Sequence, residues 1–374
     1  MLGRLRLDAG NSRGRRYPEP PHPYRNDFQR DRDRIVHSRA FRRMEGKTQV
    51  FAAGLCDHFR NRLTHTIEVS QVARTVAATL QLNEDYTETL ALVHDLGHPP
   101  FGHVGEKELD RQMQPFGASF EHNRHALRIV DHLENYYARF DGLNLTVEVR
   151  EGIIKHSREL AANTSDADLL SLLPGKRPPL EAQLLDLADE IAYNTADLDD
   201  AFSAGLFTIQ QIGETVPVFG ELSEQIDTQF PGATDRVRFW EVQRQLMNFL
   251  IGGLIEGTVA AAAAAKVESV DDIRNLDHRL ACLTDDALVI NRQMRKLLID
   301  HVYANVELIG DRKVAQLRLG QLFSYLIQHP ECVSPGYREA LKERPVHRVV
   351  CDYIAGMTDQ YFTKRYHEFF GKNL

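Results

Sequence analysis

Apolar residues recur along this chain at helical spacing, and no stretch sustains the alternation of a half-buried strand. Val69, Val72, Ala73, Val76 and Leu80 stand at i, i+3, i+4, i+7 and i+11, the stripe of a core-facing helix. Between Thr87 and Leu96 the apolar positions run almost all round, as in a buried helix. That helix is predicted to end at Gly97, because Pro99-Pro100 forbid its continuation. A helix opening at Phe120 to His125 turns Ala126, Ile129, Val130 and Leu133 inward, and Thr146 is a candidate cap for the next, which runs to Lys155-His156. Leu173 to Pro179 forms the clearest linker, followed by a long helix from Leu180 to Phe202. Phe239 to Ala265, Leu297 to Tyr303, Leu317 to Gln328 and Arg348 to Phe369 repeat the pattern, broken at Pro330, Pro335 and Pro345. The fold class expected is all-α, a helical bundle with additional C-terminal helices and without internal repeats.

Composition changes this picture only in places. At 374 residues the chain can bury a sizeable core as one large domain or two. The net charge of -8 is uneven: residues 1 to 62 hold 15 Lys and Arg against 7 Asp and Glu, about +8, which leaves about -16 for the rest. Residues 1–26, rich in Arg, Pro and Gly, read as an extended basic arm, and 27–374 as the main domain, with a core at about 58–202 and a helical C-terminal part at 203–374. The segment Asp27 to His37 alternates charges. It is either a salt-bridged solvated face or a set of guanidinium groups for phosphates. Cys56, Cys282, Cys332 and Cys351 are scattered without metal-finger spacing, which suits a reducing compartment. No apolar run approaches the roughly 20 residues of a membrane span, so a soluble, cytoplasmic protein without membrane contact is expected.

The chemistry concentrates in Val93 to Glu106, where His94, Asp95, His98, His103 and Glu106 crowd into fourteen residues. His94-Asp95 should sit on the last turn of its helix, with the following loop carrying His98, His103 and Glu106 back past it. Neighbouring helical side chains diverge by about 100°, so both members of the pair can reach one cation off the helix end. Such an ion needs more ligands. His65 begins the preceding helix, one hairpin away. Asp189 is a carboxylate beside the apolar stripe of the long helix, on one face with Tyr193 and Asp197, and burying it is unfavourable unless it binds something. His65, His94, Asp95 and Asp189 therefore form a candidate site for one divalent ion. Two imidazoles and two carboxylates suit Mn, Fe, Zn, Ni or Co better than Mg, and such an ion supports phosphoester hydrolysis.

These residues resemble the HD superfamily of metal phosphohydrolases. The string from His94 to Glu106 is similar to the signature of its deoxyguanosine triphosphate triphosphohydrolase branch. Matching stretches at Phe28–Arg34, Ser38–Arg43, Gly46–Phe51, Arg62–His65, Phe120–Asn123 and Tyr353–Asp359 extend the resemblance over about residues 28 to 369. It implies hydrolysis of a deoxynucleoside triphosphate at the α-phosphorus, giving a deoxynucleoside and inorganic triphosphate. His65, His94, Asp95 and Asp189 would bind the metal, with Mg a possible companion of the substrate phosphates. His103 and Glu106 would form the dyad that activates water. His98 and His122 would lie along the phosphates and Tyr193 against the substrate, with Arg62, Arg43 and Lys155 as further phosphate or sugar contacts. A homo-oligomer, often controlled by a nucleotide or single-stranded DNA effector, is also implied. The alternatives are another HD-type nucleotidase or phosphodiesterase, and a non-catalytic nucleotide sensor.

Overall fold

The computed structural model describes residues 1–50, 58–304 and 306–371; Phe51 and Cys56 lie outside them. The described residues form α-helices, short 3-10 and π turns and a few isolated bridges, with no named strand. The expected all-α class holds.

The first half of the chain supplies α1 (Asp27–Val36), α2 (Arg39–Arg43), α3 (Arg62–Leu80), α4 (Glu84–Val93), α5 (Gly102–Met113), α6 (His122–Arg128), α7 (Val147–Lys155), α8 (Ala167–Leu170) and α9 (Leu180–Ser203). The second half adds α10 (Ile209–Thr215), α11 (Pro217–Gln229), α12 (Asp235–Ala265), α13 (Val270–Arg274), α14 (Asp285–Leu298), α15 (Val306–Gln328), α16 (Pro335–Ala340), α17 (Val346–Ala355) and α18 (Asp359–Phe370). Side-chain oxygens hold many of the starts. Asn61, Asn83 and Thr146 each accept from the backbone N–H three residues on, which fixes where α3, α4 and α7 begin.

Helix α3 packs on α4 and α9, and α9 also meets α12 and α14. Val69, Val72, Ala73, Val76 and Leu80 are buried as their spacing predicts, divided between two adjoining cores. A third core joins α5 to the C-terminal helices, where Leu109 and Met113 pack with Leu319, Leu322 and Phe323.

Three expectations need correction, and one open reading is decided. The N-terminal stretch, expected as an extended basic arm, is packed onto the body: Leu2, Leu5 and Leu7 are buried, and the Leu2 N–H donates to Leu80 O. The guanidinium groups around α1 serve the fold, with Arg15 on Asp27 and Asp31, Arg34 on Glu19, and Arg32 on Glu88. The Arg348–Phe369 stretch is two helices, divided at Gly356–Thr358. Finally, α12 is long and apolar enough to cross a membrane by length and composition, although Phe239, Val242, Leu246, Leu250 and Leu254 lie fully buried in the bundle.

Candidate functional site

Helix α4 ends at Val93, and His94 follows as its C-cap, still in helical conformation. His94 Nδ1 faces the carbonyl of Ala91 at 2.6 Å, the hydrogen bond that assigns the proton to Nδ1 and leaves the Nε2 lone pair free. The chain then folds back tightly. A Cβ on Gly97 would lie 2.0 Å from His122 O, so only glycine lets this turn touch α6.

His65, in the first turns of α3, places Nε2 3.0 Å from Asp189 Oδ1 on α9. His94 Nε2 lies 3.6 Å from the same oxygen and 3.6 Å from Asp95 Oδ1. Single ligand atoms of His65, His94 and Asp189 all fall within 4.8 Å of one another. Asp95 joins through His94 and is held by Arg62, whose Nη1 donates to Oδ2 at 2.7 Å. Helices α3 and α9 and the turn after α4 therefore bring His65, His94 and Asp189 together, while the fourth expected ligand, Asp95, lies at the edge of the group with Oδ1 also 3.0 Å from His98 Nδ1.

His103 and Glu106 are not in a loop as expected: they lie on the first turns of α5, which begins at Gly102. A Cβ on Gly105 would sit 2.0 Å from Pro100 O, so this glycine serves close packing inside a helix and not a turn. His103 Nδ1 is 3.1 Å from Glu106 Oε2, while Glu106 Oε1 accepts from the His122 N–H at 2.9 Å and lies 2.7 Å from His122 Nδ1. His98 stacks on His122 with ring centroids 4.1 Å apart. A cavity of about 610 Å³ opens onto both groups, lined by Arg62, His65, Asp95, His98, His103, His122, Asp189 and Tyr193 among others.

Two expected contacts fall elsewhere. Lys155 is fully buried, donating to Glu151 Oε1 at 2.6 Å and to the carbonyls of Leu173 and Lys176 at 2.8 Å each. Arg43 sits beside Gly356 and Tyr337 and is not among the residues that line the cavity. Lys155→Met is accordingly expected to cost on the order of 3 kcal/mol of stability, since it strips a buried ion pair of one partner, and to leave KM unchanged. Urea unfolding beside initial rates checks this; wild-type stability with a raised KM would return Lys155 to the substrate.

The structure adds residues that the pattern did not single out. His156 follows α7, with Nδ1 2.6 Å from Asp186 Oδ1 and Nε2 3.7 Å from Asp189 Oδ2. Its only sequence signal was the Lys155-His156 helix end. At the far end of the cavity Tyr303 Oη donates to Asp197 Oδ2 at 2.5 Å, and Arg295 and Arg312 stand nearby. Asp197 shares its face of α9 with Asp189, so half of that pair was legible.

Electrostatics follow the geometry. Burial works against the Glu106 carboxylate, yet hydrogen bonds from His103 and His122 hold it well below its usual range. Burial, reinforced by the Arg62 charge, keeps His98 well below the usual histidine value and so neutral. Burial would also lower His94, but Asp95 and Asp189 lift it to about 9. The pocket between these carboxylates favours positive charge.

Comparison with known proteins gives the family. Residues 62–194 match the HD domain, and residues 281–368 match the phosphohydrolase-associated domain. The chain is 44% identical over 366 residues to the deoxyguanosinetriphosphate triphosphohydrolase-like protein of Ralstonia nicotianae, spanning 97% of this chain and 92% of that one. The likeness to the protein of the same name from Geobacter sulfurreducens is 43% over 350 residues, 94% of this chain and 90% of the relative. For that from Azoarcus sp. it is 44% over 360 residues, 96% and 94%. The chain belongs to this family of HD phosphohydrolases.

An HD phosphohydrolase implies a divalent metal, and the donor set fits one. His94 Nε2 is buried without a hydrogen-bond partner, its tautomer is set by Ala91, and it points between two carboxylates. An unpaired buried ring nitrogen so placed is unfavourable unless it meets a cation.

Proposed function

We propose that this HD phosphohydrolase cleaves deoxynucleoside triphosphates at the α-phosphorus, giving a deoxynucleoside and inorganic triphosphate. One observation carries the reading: His65, Asp95 and Asp189 of the candidate metal ligands line the same cavity as His103 and His122, which Glu106 joins from behind the wall. Its volume lies within the range of small-molecule sites. When bound, a divalent ion of the Mn, Fe, Co, Ni or Zn class supplies charge neutralisation at a phosphoryl oxygen and lowers the pKa of water.

The rest of the chemistry belongs to side chains. Glu106 accepts the Nδ1 proton of His103, which presents His103 Nε2 as the base. Water oxygen bonds to the α-phosphorus and the bond from phosphorus to the sugar 5′ oxygen breaks. The water proton passes to His103 Nε2, which returns it to the departing 5′ oxygen, so that the deoxynucleoside leaves with its hydroxyl and His103 is restored. His98, kept neutral by burial, together with His122, Arg62 and exposed Lys107, offers donors along a polyanionic tail. Tyr193, Asp197 and Tyr303 stand at the end left for the nucleoside.

Incubating the protein with each of the four deoxynucleoside triphosphates and Mn²⁺, then separating products by chromatography, tests the reading. Deoxynucleoside and triphosphate in equal amounts are expected. Orthophosphate or pyrophosphate would indicate a different HD phosphohydrolase, and tight binding without turnover a sensor.

A further inference from the structure

The C-terminal helices reach the catalytic turn through one carboxylate. Asp359 opens α18, and its Oδ2 accepts from the backbone N–H of Thr48 at 2.8 Å and from Thr48 Oγ1 at 2.5 Å. Its Oδ1 accepts from the backbone N–H of Phe101 at 3.0 Å. Thr48 and Phe101 both line the cavity, so a single buried side chain ties two of its walls to a third, distant part of the chain.

What Asp359 grips is a strained joint. Phe101 caps the start of α5 at φ 62° and ψ 23°, the left-handed conformation that an L residue avoids, and Gly102 follows at φ 57°. No side chain caps α5 at that point. The Phe101 ring stands edge-on to Phe362, one turn beyond Asp359, with centroids 5.1 Å apart and planes at 88°. Gly46 approaches Thr358 so closely that a Cβ would lie 2.9 Å from its Cγ2. Lys47, fully buried, donates to the carbonyls of His98 and Ala355. The α17–α18 corner is thus fastened to both sides of the segment His98–Gly102, and His103 is the next residue.

We propose that Asp359 is a positioning residue for the reaction, acting through Phe101. It makes no contact with the metal cluster or the dyad. By accepting the Phe101 N–H it holds the left-handed joint from which α5 departs, and so fixes where His103 and Glu106 stand relative to His94, Asp95 and Asp189. Thr48 is held on the same carboxylate, so this neighbouring part of the cavity lining is tied to the same anchor. The carboxylate at the first turn of α18 is favoured there by the helix dipole, and its two oxygens accept from Thr48 and Phe101 together. This inference rests on the hydrolytic reading above for its kinetic consequence, and not for its structural one.

The test uses the full chain with Asp359→Ala and Asp359→Asn. In Asp359→Ala, bound metal per chain stays at the wild-type value, kcat falls 10- to 100-fold, and KM changes less than threefold, the signature of a misplaced catalytic group. Amide hydrogen exchange in the peptide covering residues 98–104 speeds up, while exchange in α9 does not. Asp359→Asn, which keeps an acceptor for one wall, falls between the two and provides the same readouts should the alanine variant not fold. Unchanged exchange at 98–104, or kcat within twofold of wild type, would overturn the proposal. If wild type turns over no deoxynucleoside triphosphate, the hydrolytic reading fails, and exchange still decides the role of Asp359.

Discussion

Asp189→Ala protein is expected to retain its fold, to lose its metal and to show no measurable turnover. Asp189 Oδ1 is the one atom that both His65 Nε2 and His94 Nε2 approach, at 3.0 and 3.6 Å. Removing it separates α3 from the His94 turn as far as any ion is concerned. A bound cation contributes several kcal/mol to phosphoryl transfer, and each 1.4 kcal/mol is tenfold in rate, so the loss should exceed about 10³-fold. The fold should survive because Asp189 forms part of the cavity wall. Metal analysis by mass spectrometry, circular dichroism and initial rates make the three comparisons. An Asp189→Ala protein that holds stoichiometric metal would break the ligand assignment.

Glu106→Ala should separate chemistry from metal binding. Metal content remains at wild-type level, since Glu106 belongs to the His103–His122 side of the cavity and not to the His65–His94–Asp189 cluster. Without the carboxylate the His103 ring loses the partner that fixes its tautomer, and His122 loses its acceptor. General-base assistance typically contributes 10²- to 10⁴-fold, and kcat is expected to drop by about 10³-fold with a smaller change in KM. Steady-state kinetics alongside metal analysis checks this. Loss of metal together with activity would instead place Glu106 among the ligands.

The grouping of His65, His94 and Asp189 was legible because two local rules carried it. Gly97 and Pro99-Pro100 bar the helix from continuing past His94-Asp95, although it already ends at Val93, and the three-and-four spacing of α9 puts Asp189 beside an apolar stripe where a carboxylate needs a partner. The start of α5 was not legible. It relies on a left-handed Phe101 held by Asp359, 258 residues away, and no local signal announces that. Gly102 and Gly105 looked like turn residues, whereas Gly105 is a point of contact with the Pro100 carbonyl. Lys155 illustrates the opposite failure: a basic residue at a helix end reads as an anion contact, but its burial beside Glu151 is decided by the fold of the 173–176 segment. The arginines around α1 were open to two readings, and the acidic groups from Asp27, Asp31, Glu19 and Glu88 settle it in favour of structure. Where a side chain is fixed by residues far along the chain, spacing alone does not reveal its partner.

Water attack at the α-phosphorus, with breakage toward the sugar, is the centre of the proposed activity, and isotope transfer tests it directly. Running the reaction in water enriched in oxygen-18 and following it by phosphorus-31 NMR should place one heavy oxygen on a terminal phosphorus of inorganic triphosphate and none on the deoxynucleoside. Heavy oxygen in orthophosphate or pyrophosphate, or in the 5′ hydroxyl of the deoxynucleoside, would contradict the account.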